Sequence, residues 1–347
     1  MRIGALKQDY GADQALFDTV VQRRWAVAGI AGLVLFPFAA DDYWLFLACM
    51  VGIHVVTVTG LNILTGYTGL ISLGQAAFMG VGAYTVALAE ARLGTPFPVN
   101  LALAGLVTAA VGVAVGVPSL RVKGLYLAIA TIAASFILHF VFQNWTQVTG
   151  GIRGVNVAPA RVMDHELVRP FELYWVIAPL ATVLVLAAAN LFRTRIGRAF
   201  IAIRDRDISA EVLGIPLLRY KLMSFGLSAF YAGIAGGLWA YLFRVVTPES
   251  FPLVYSIFFL AAVIVGGMGT ILGSILGAVF MTLVPEILKL IVGLISPWFP
   301  NAVAILSPVR TVVFGLLIIG FLIFEPHGLA EIWRRIRRFF HLWPFRT

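Results

Sequence analysis

Long apolar runs alternate along the chain with short polar or charged stretches. The runs cover about residues 25–40, 43–64, 76–91, 99–117, 126–145, 171–192, 222–242, 253–265, 271–292 and 309–324. A bilayer hydrocarbon core about 30 Å thick takes about 20 helical residues. The pattern therefore predicts an all-α polytopic membrane protein with about ten transmembrane helices. The third, eighth and tenth runs are short for a full crossing and call for tilt, local thinning or broken helices. Two glycine-rich interruptions fit the last of these, TGYTGLISLGQ at 65–75 and GGMGTILGSILGA at 266–278. Irregular backbone at membrane depth persists only where protein or a water-filled cavity covers it. For the first interruption two readings stand. Its small residues let helices pack closely, or it is a discontinuous helix lining a path, with Tyr67, Thr68, Ser72, Gly74 and Gln75 as the path candidates. Each interruption leads into a helix rich in small residues, which suggests a two-fold internal repeat.

The polar run from Arg193 to Lys221 departs most from the rest of the pattern. It carries seven of the 25 Lys and Arg residues. Ala202 to Leu213 reads as one short helix, with Asp205 and Asp207 near its start, where carboxylates complement the helix dipole. Gly214 stands at the position of a helix C-cap and Pro216 prevents resumption. A capped helix in a loop between two spans presents a surface to another protein. The chain thus divides into an N-terminal segment 1–24, a membrane-spanning body 25–324 containing the 193–221 loop, and a basic, aromatic tail 325–347.

Composition supports the membrane assignment: 61% of residues are hydrophobic and 12% charged, against about a quarter charged in soluble domains. The net charge of +9 marks sidedness rather than a nucleic-acid partner. With the N-terminus inside, the inner segments hold 18 Lys and Arg, and the outer ones hold five: Arg92, Arg153, Arg161, Arg169 and Arg244. Both termini and the 193–221 loop of a multi-pass membrane protein are therefore expected on the cytoplasmic side. The first 24 residues mix charges without an apolar core, unlike a cleavable signal peptide. Cys49, the one cysteine, lies in an apolar run and reads as a small buried hydrophobe. The tail EIWRRIRRFFHLWPFRT interleaves arginines with Trp333, Phe339, Phe340 and Trp343, as an interfacial anchor on anionic lipid does.

Catalytic chemistry is not indicated. None of the four lysines follows a glycine, so there is no phosphate-binding GxxxxGK loop. The five histidines are scattered, no metal-ligand spacing occurs, and there is no GxSxG elbow. Neither an enzyme activity nor a metal or cofactor bound by this chain is expected. Gly150, Gly151 and Gly154 favour a tight turn in the outer 146–170 loop. Asn144-Trp145-Thr146 matches a glycosylation sequon but abuts a span. Glu286 and Lys289, spaced i, i+3, read as a helix-surface ion pair near an outer helix end.

With these stretches in view, the chain resembles the LivM-type permease subunits of bacterial branched-chain amino-acid ABC transporters. The resemblance is carried by LNILTGYTGLISLGQAAFMGVGAY (61–84), GLYLAIATIA (124–133), VTGGIRGV (148–155), RIGRAFIAIRDRDISAEVLGI (195–215) and GGMGTILGSILGA (266–278). It covers most of 60–347. ABC permeases carry a cytoplasmic motif, EAA followed by Gly after three further residues, that docks in a cleft of the ATPase subunit. The resemblance places it at Ile208, Ser209, Ala210 and Gly214, with Ile208 where the acidic residue would stand. It implies an ATPase-coupling helix that includes Arg204, Asp205, Asp207, Ser209, Ala210, Glu211 and Gly214. It further implies a homologous second permease of the LivH type, two ATP-binding subunits that hold ATP and magnesium, a periplasmic solute-binding protein, and alternating access driven by ATP. Urea, short amides or other amino acids remain open as cargo. The rival of a different class is an ion-coupled secondary transporter acting alone.

Overall fold

The computed structural model describes residues 20–122, 124–162, 165–295 and most of 312–342. The expected N-terminal segment falls outside this range up to residue 19, as does the end of the tail beyond Leu342. The principal helices are α1 (Val20–Ala39), α2 (Asp42–Asn62), α3 (Gln75–Leu93), α4 (Phe97–Ser119), α5 (Leu125–Asn144), α6 (Pro170–Leu191), α7 (Arg195–Asp205), α8 (Asp207–Val212), α9 (Leu217–Phe243), α10 (Leu253–Gly266), α11 (Ile271–Ile295) and α12 (Leu329–Leu342).

Among the described residues, seven stretches are long and apolar enough to cross a membrane: Asp42–Tyr67, Phe97–Ser119, Leu125–Asn144, Pro170–Leu191, Leu217–Phe243, Pro248–Gly266 and Ile271–Leu290. The other three of the ten expected runs differ from these for separate reasons. Helix α3 is 19 residues long but carries Gln75, Thr85, Glu90 and Arg92. It packs against α4, α9 and α10, so much of its surface meets protein and need not be lipid-soluble. The apolar part of α1 is only Gly29–Ala39. The 309–324 run lies partly outside the described residues.

Helix α9 is the centre of the bundle. It packs most extensively on α4 and α3, and next on α2. Backbones approach closely there: a Cβ on Gly82 would sit 2.2 Å from the Gly233 carbonyl oxygen, and one on Gly236 would sit 1.9 Å from that of Met79. Only glycine fits such a seam, and close backbone approach is the usual means of packing helices in lipid. The opposite faces of α4 and α5 display Leu106, Val107, Ile129, Phe136, Ile137 and Phe140 outward, as lipid-facing surfaces do.

The two ends of the bundle differ. At one end short strands tie the connections together. Strand β1 (Val155–Asn156) pairs antiparallel with a later strand, Val245–Val246, and a hairpin joins Ala160–Val162 to His165–Leu167. Gly150, Gly151 and Gly154 all take positive φ, the tight turn expected of that loop. Arg92 donates to the Gln147 carbonyl and Arg244 to that of Val168, each at 2.7 Å. Lys289 and Glu286 form the expected ion pair at 2.7 Å, and Tyr43 donates to the same carboxylate, joining α2 to α11. At the other end lie the turn at 120–122, the 193–216 loop and both glycine-rich interruptions.

The loop helix departs from expectation. A single helix over 202–213 is replaced by α7 and α8, separated at Arg206, whose φ of −157° and ψ of 103° are extended. Helix α7 starts earlier because Gly197, Ala199, Phe200 and Ile203 bury one face against the bundle. Asp207 does open a helix, whereas Asp205 closes the preceding one.

Candidate functional site

Both interruptions are true breaks in helix, and they touch. Helix α2 loosens into one π-helical turn over Ile63–Tyr67 and then runs irregularly until α3 begins at Gln75. The backbone groups freed by this break find partners on neighbouring elements. Leu73 N–H donates to Thr131 Oγ1 at 2.9 Å, Ser135 Oγ donates to the Leu73 carbonyl at 3.2 Å, and Ala76 N–H donates to Ser256 Oγ at 2.9 Å. Within the break, Thr65 Oγ1 donates to the Leu70 carbonyl at 3.2 Å and Leu70 N–H to that of Leu64 at 3.1 Å. Protein thus covers what lipid could not.

Four of the five path candidates lie in this break and Gln75 opens the helix that ends it, and all are engaged in holding it. Thr68 Oγ1 donates to the Ile63 carbonyl at 3.0 Å, and Ser72 Oγ accepts from Gly74 N–H at 3.3 Å. Gln75 donates through Nε2 to the Thr57 carbonyl and accepts from Ser228 Oγ, both at 3.2 Å. Tyr67 stacks on Phe192 with ring planes 8° apart. A cavity of about 280 Å³ lies nearby, lined by Ala77, Ser135, Phe136, His139, Glu249 and Ser256 among others, and none of the five candidates lines it. Ser135 and Ser256 belong both to its wall and to the set of hydroxyls that hold the break.

The second break spans Gly267–Thr270 between α10 and α11. Gly267 and Gly269 have φ of 118° and 73°, conformations open to glycine and strained for other residues. One residue, which sequence reasoning missed, fastens this break to the first. Asn62 Nδ2 donates to the Thr270 carbonyl at 2.9 Å and to Ser274 Oγ at 2.8 Å, and Asn62 Oδ1 accepts from Gly269 N–H at 2.9 Å. The contact is close: a Cβ on Gly66 would lie 2.4 Å from Gly269 N. The available signal was a lone amide inside an apolar helix, where a polar side chain needs a partner.

The polar loop lies against the same end. Helix α8 closes with Ile215 N–H on the Ala210 carbonyl at 3.0 Å and Gly214 N–H on that of Glu211 at 2.9 Å. This is the paired closure of a Schellman motif, with Gly214 at φ 84° in the left-handed position. Ala210 is buried, while Ile208, Val212 and Leu213 are 71%, 83% and 79% exposed. Ser209, Glu211 and Gly214 are exposed beside them. Asp207 pairs with Lys221 at 3.7 Å, fixing the start of α8 to α9. Asp205 is exposed at the end of α7. Arg204 turns back onto the bundle and donates through Nη1 to the Gly66 carbonyl at 2.7 Å. No group of three or more His, Cys, Asp or Glu residues able to hold a metal occurs among the described residues.

The model of the family described as branched-chain amino acid transport system / permease component matches residues 43–322. The chain is 35% identical over 296 residues to the high-affinity branched-chain amino acid transport system permease protein LivM of Salmonella typhimurium, covering 78% of this chain and 70% of that one. The Escherichia coli protein of the same description is 34% identical over the same length and shares. The probable branched-chain amino acid transport permease protein LivH of Methanocaldococcus jannaschii is 28% identical over 218 residues, covering 61% of this chain and 66% of that one.

Proposed function

The chain belongs to the branched-chain amino acid transport permease family, and from that premise we propose that it is one membrane subunit of an ATP-driven importer of leucine, isoleucine and valine. Relatives of both the LivM and LivH kinds imply a complex with a second permease. Two ATP-binding subunits would sit below and a solute-binding protein above.

The observation that carries the reading is α8. Ile208, Val212 and Leu213 stand exposed together on one capped helical turn, an apolar patch of the kind that marks a protein–protein contact. Ala210 packs inward and Gly214 ends the turn, so the apolar tip projects from the bundle as a knob. An ATPase cleft that gripped this knob could favour one arrangement of the membrane domain only through a difference in affinity between its nucleotide states. At the adjoining breaks the chain can change direction without exposing unpaired backbone groups to lipid, because neighbouring side chains satisfy them. Hydroxyls of Ser135 and Ser256 border the cavity beside the first break, which makes its wall the candidate path surface in this subunit. By the excess of basic residues, the loop end and both termini face the cytoplasm.

The test is reconstitution. The chain is purified with its co-expressed partners, placed in liposomes with ATP inside, and offered leucine or urea on a purified binding protein. Accumulation of leucine that requires ATP is the expected result. Accumulation of urea instead would move the cargo assignment. Uptake by the chain alone, driven by a sodium or proton gradient, would overturn the reading.

A further inference from the structure

We infer that Arg204 is the positioning residue that links movement of α8 to both helix breaks at once. The inference rests on the importer reading above and adds to it a path for force through this chain.

Arg204 stands in the last turn of α7, two residues before Arg206, the extended residue that leads into α8. Its side chain meets three separate features. Nη1 donates to the carbonyl of Gly66, in the π-helical turn of the first break, at 2.7 Å. Its aliphatic stem lies along Gly69, where a Cβ would fall 3.4 Å from Arg204 Cγ and 3.5 Å from Arg204 Cα. The guanidinium also presses on the second break: a Cβ on Gly269 would fall 2.3 Å from Nη1. One cation therefore touches both breaks, at glycines whose missing side chains leave it room.

The element behind the side chain is firm. Helix α7 is held by the buried Phe200, which meets Tyr220 edge to face, and by Gly197, whose Cα approaches the Phe192 backbone so closely that a Cβ would sit 2.3 Å from it. Helix α8 is only six residues long, and its first residue, Asp207, follows directly on Arg206 and α7 and is paired there with Lys221 of α9. A push on α8 is thus delivered to the end of α7, where Arg204 is. Part of the Arg204 side chain remains open to solvent, so its bond to Gly66 can release without leaving a charge buried and unpaired.

The experiment uses the reconstituted full complex with Arg204→Ala, Arg204→Gln and Arg204→Lys. The expected result is that Arg204→Ala still assembles with its partners and hydrolyses ATP, while solute taken up per ATP falls about tenfold, within the usual range of coupling between sites. Arg204→Lys should recover part of that ratio by restoring a point charge, and Arg204→Gln less. A second readout does not depend on the cargo. Nitroxide labels at Ile71→Cys and Phe140→Cys, in a Cys49→Ala background, should change separation when ATP is trapped in the parent complex, and should not in Arg204→Ala. An unchanged ratio in Arg204→Ala, or a label shift like the parent's, would overturn the inference. Failure of leucine uptake in the parent, with the label shift intact and lost in Arg204→Ala, would count against the cargo reading and support the link.

Discussion

At the scale of single residues, Asn62 is the most consequential side chain. From the last residue of α2, at the edge of the first break, it satisfies the Gly269 N–H, the Thr270 carbonyl and the Ser274 hydroxyl. Asn62→Leu keeps size and removes all three bonds. Each buried polar group left unmatched costs about 1–3 kcal/mol, so detergent-solubilised Asn62→Leu should melt well below the parent in a thermal unfolding assay. An unchanged midpoint would show that the breaks do not depend on this side chain. The seam between α3 and α9 makes a sharper demand. In Gly82→Val the new Cβ meets the Gly233 backbone rather than a movable side chain, and overpacking of this kind costs about 1–3 kcal/mol or more. Little monodisperse protein should survive size-exclusion chromatography. Asn62 escaped sequence reasoning because its partners lie more than 200 positions away. No local pattern records a contact of that range. Tyr67, Ser72 and Gln75 were legible as polar groups at a break, but their engagement with Phe192, Gly74, Thr57 and Ser228 was not.

At the scale of elements, span boundaries followed from hydrophobic run length. The expected 99–117, 126–145 and 171–192 became Phe97–Ser119, Leu125–Asn144 and Pro170–Leu191. Length-driven burial in lipid leaves little competition, whereas the short loop helices depend on what they pack against. That is why Gly214 ended α8 as read, while the start of α7 and the break at Arg206 did not show: burial of Phe200 and Ile203 decides them. The division also separates two duties. Ile208, Val212 and Leu213 form an outward knob, and Ala210 holds it to the bundle. Leu213→Asp changes a side chain that is 79% exposed, so stability should move by no more than about 0.5 kcal/mol. Pull-down of an ATP-binding partner should nevertheless be lost, with membrane insertion intact. Normal pull-down would remove α8 as the docking surface. The tail helix α12 is fastened differently: Arg335 bonds Glu325 at 2.8 Å and Arg334 bonds Glu331 at 3.0 Å, leaving Trp333, Ile336 and Phe339 exposed, as an interfacial anchor requires.

At the scale of the whole molecule, the two ends of the bundle are chemically unequal. The end with the short strands carries few basic residues, and the end with the loop and breaks carries many. A reporter enzyme fused after Thr347 should therefore be active only as a cytoplasmic fusion, and one inserted after Arg161 only when exported. The reverse pattern would invert the proposed topology. This asymmetry could be read from charge alone. What charge could not convey is that the two breaks converge with α7 at one end, since that depends on how α2, α10 and α11 pack.

The Asn62 staple also constrains inheritance. Residues 62, 66 and 269 meet in space though they are far apart in the chain, so a substitution at one changes what the others can tolerate. A hybrid permease that takes its first hundred residues from one relative and the remainder from another would join halves shaped to different counterparts. Crossovers should be viable when both breaks come from the same parent, and should fail when they do not.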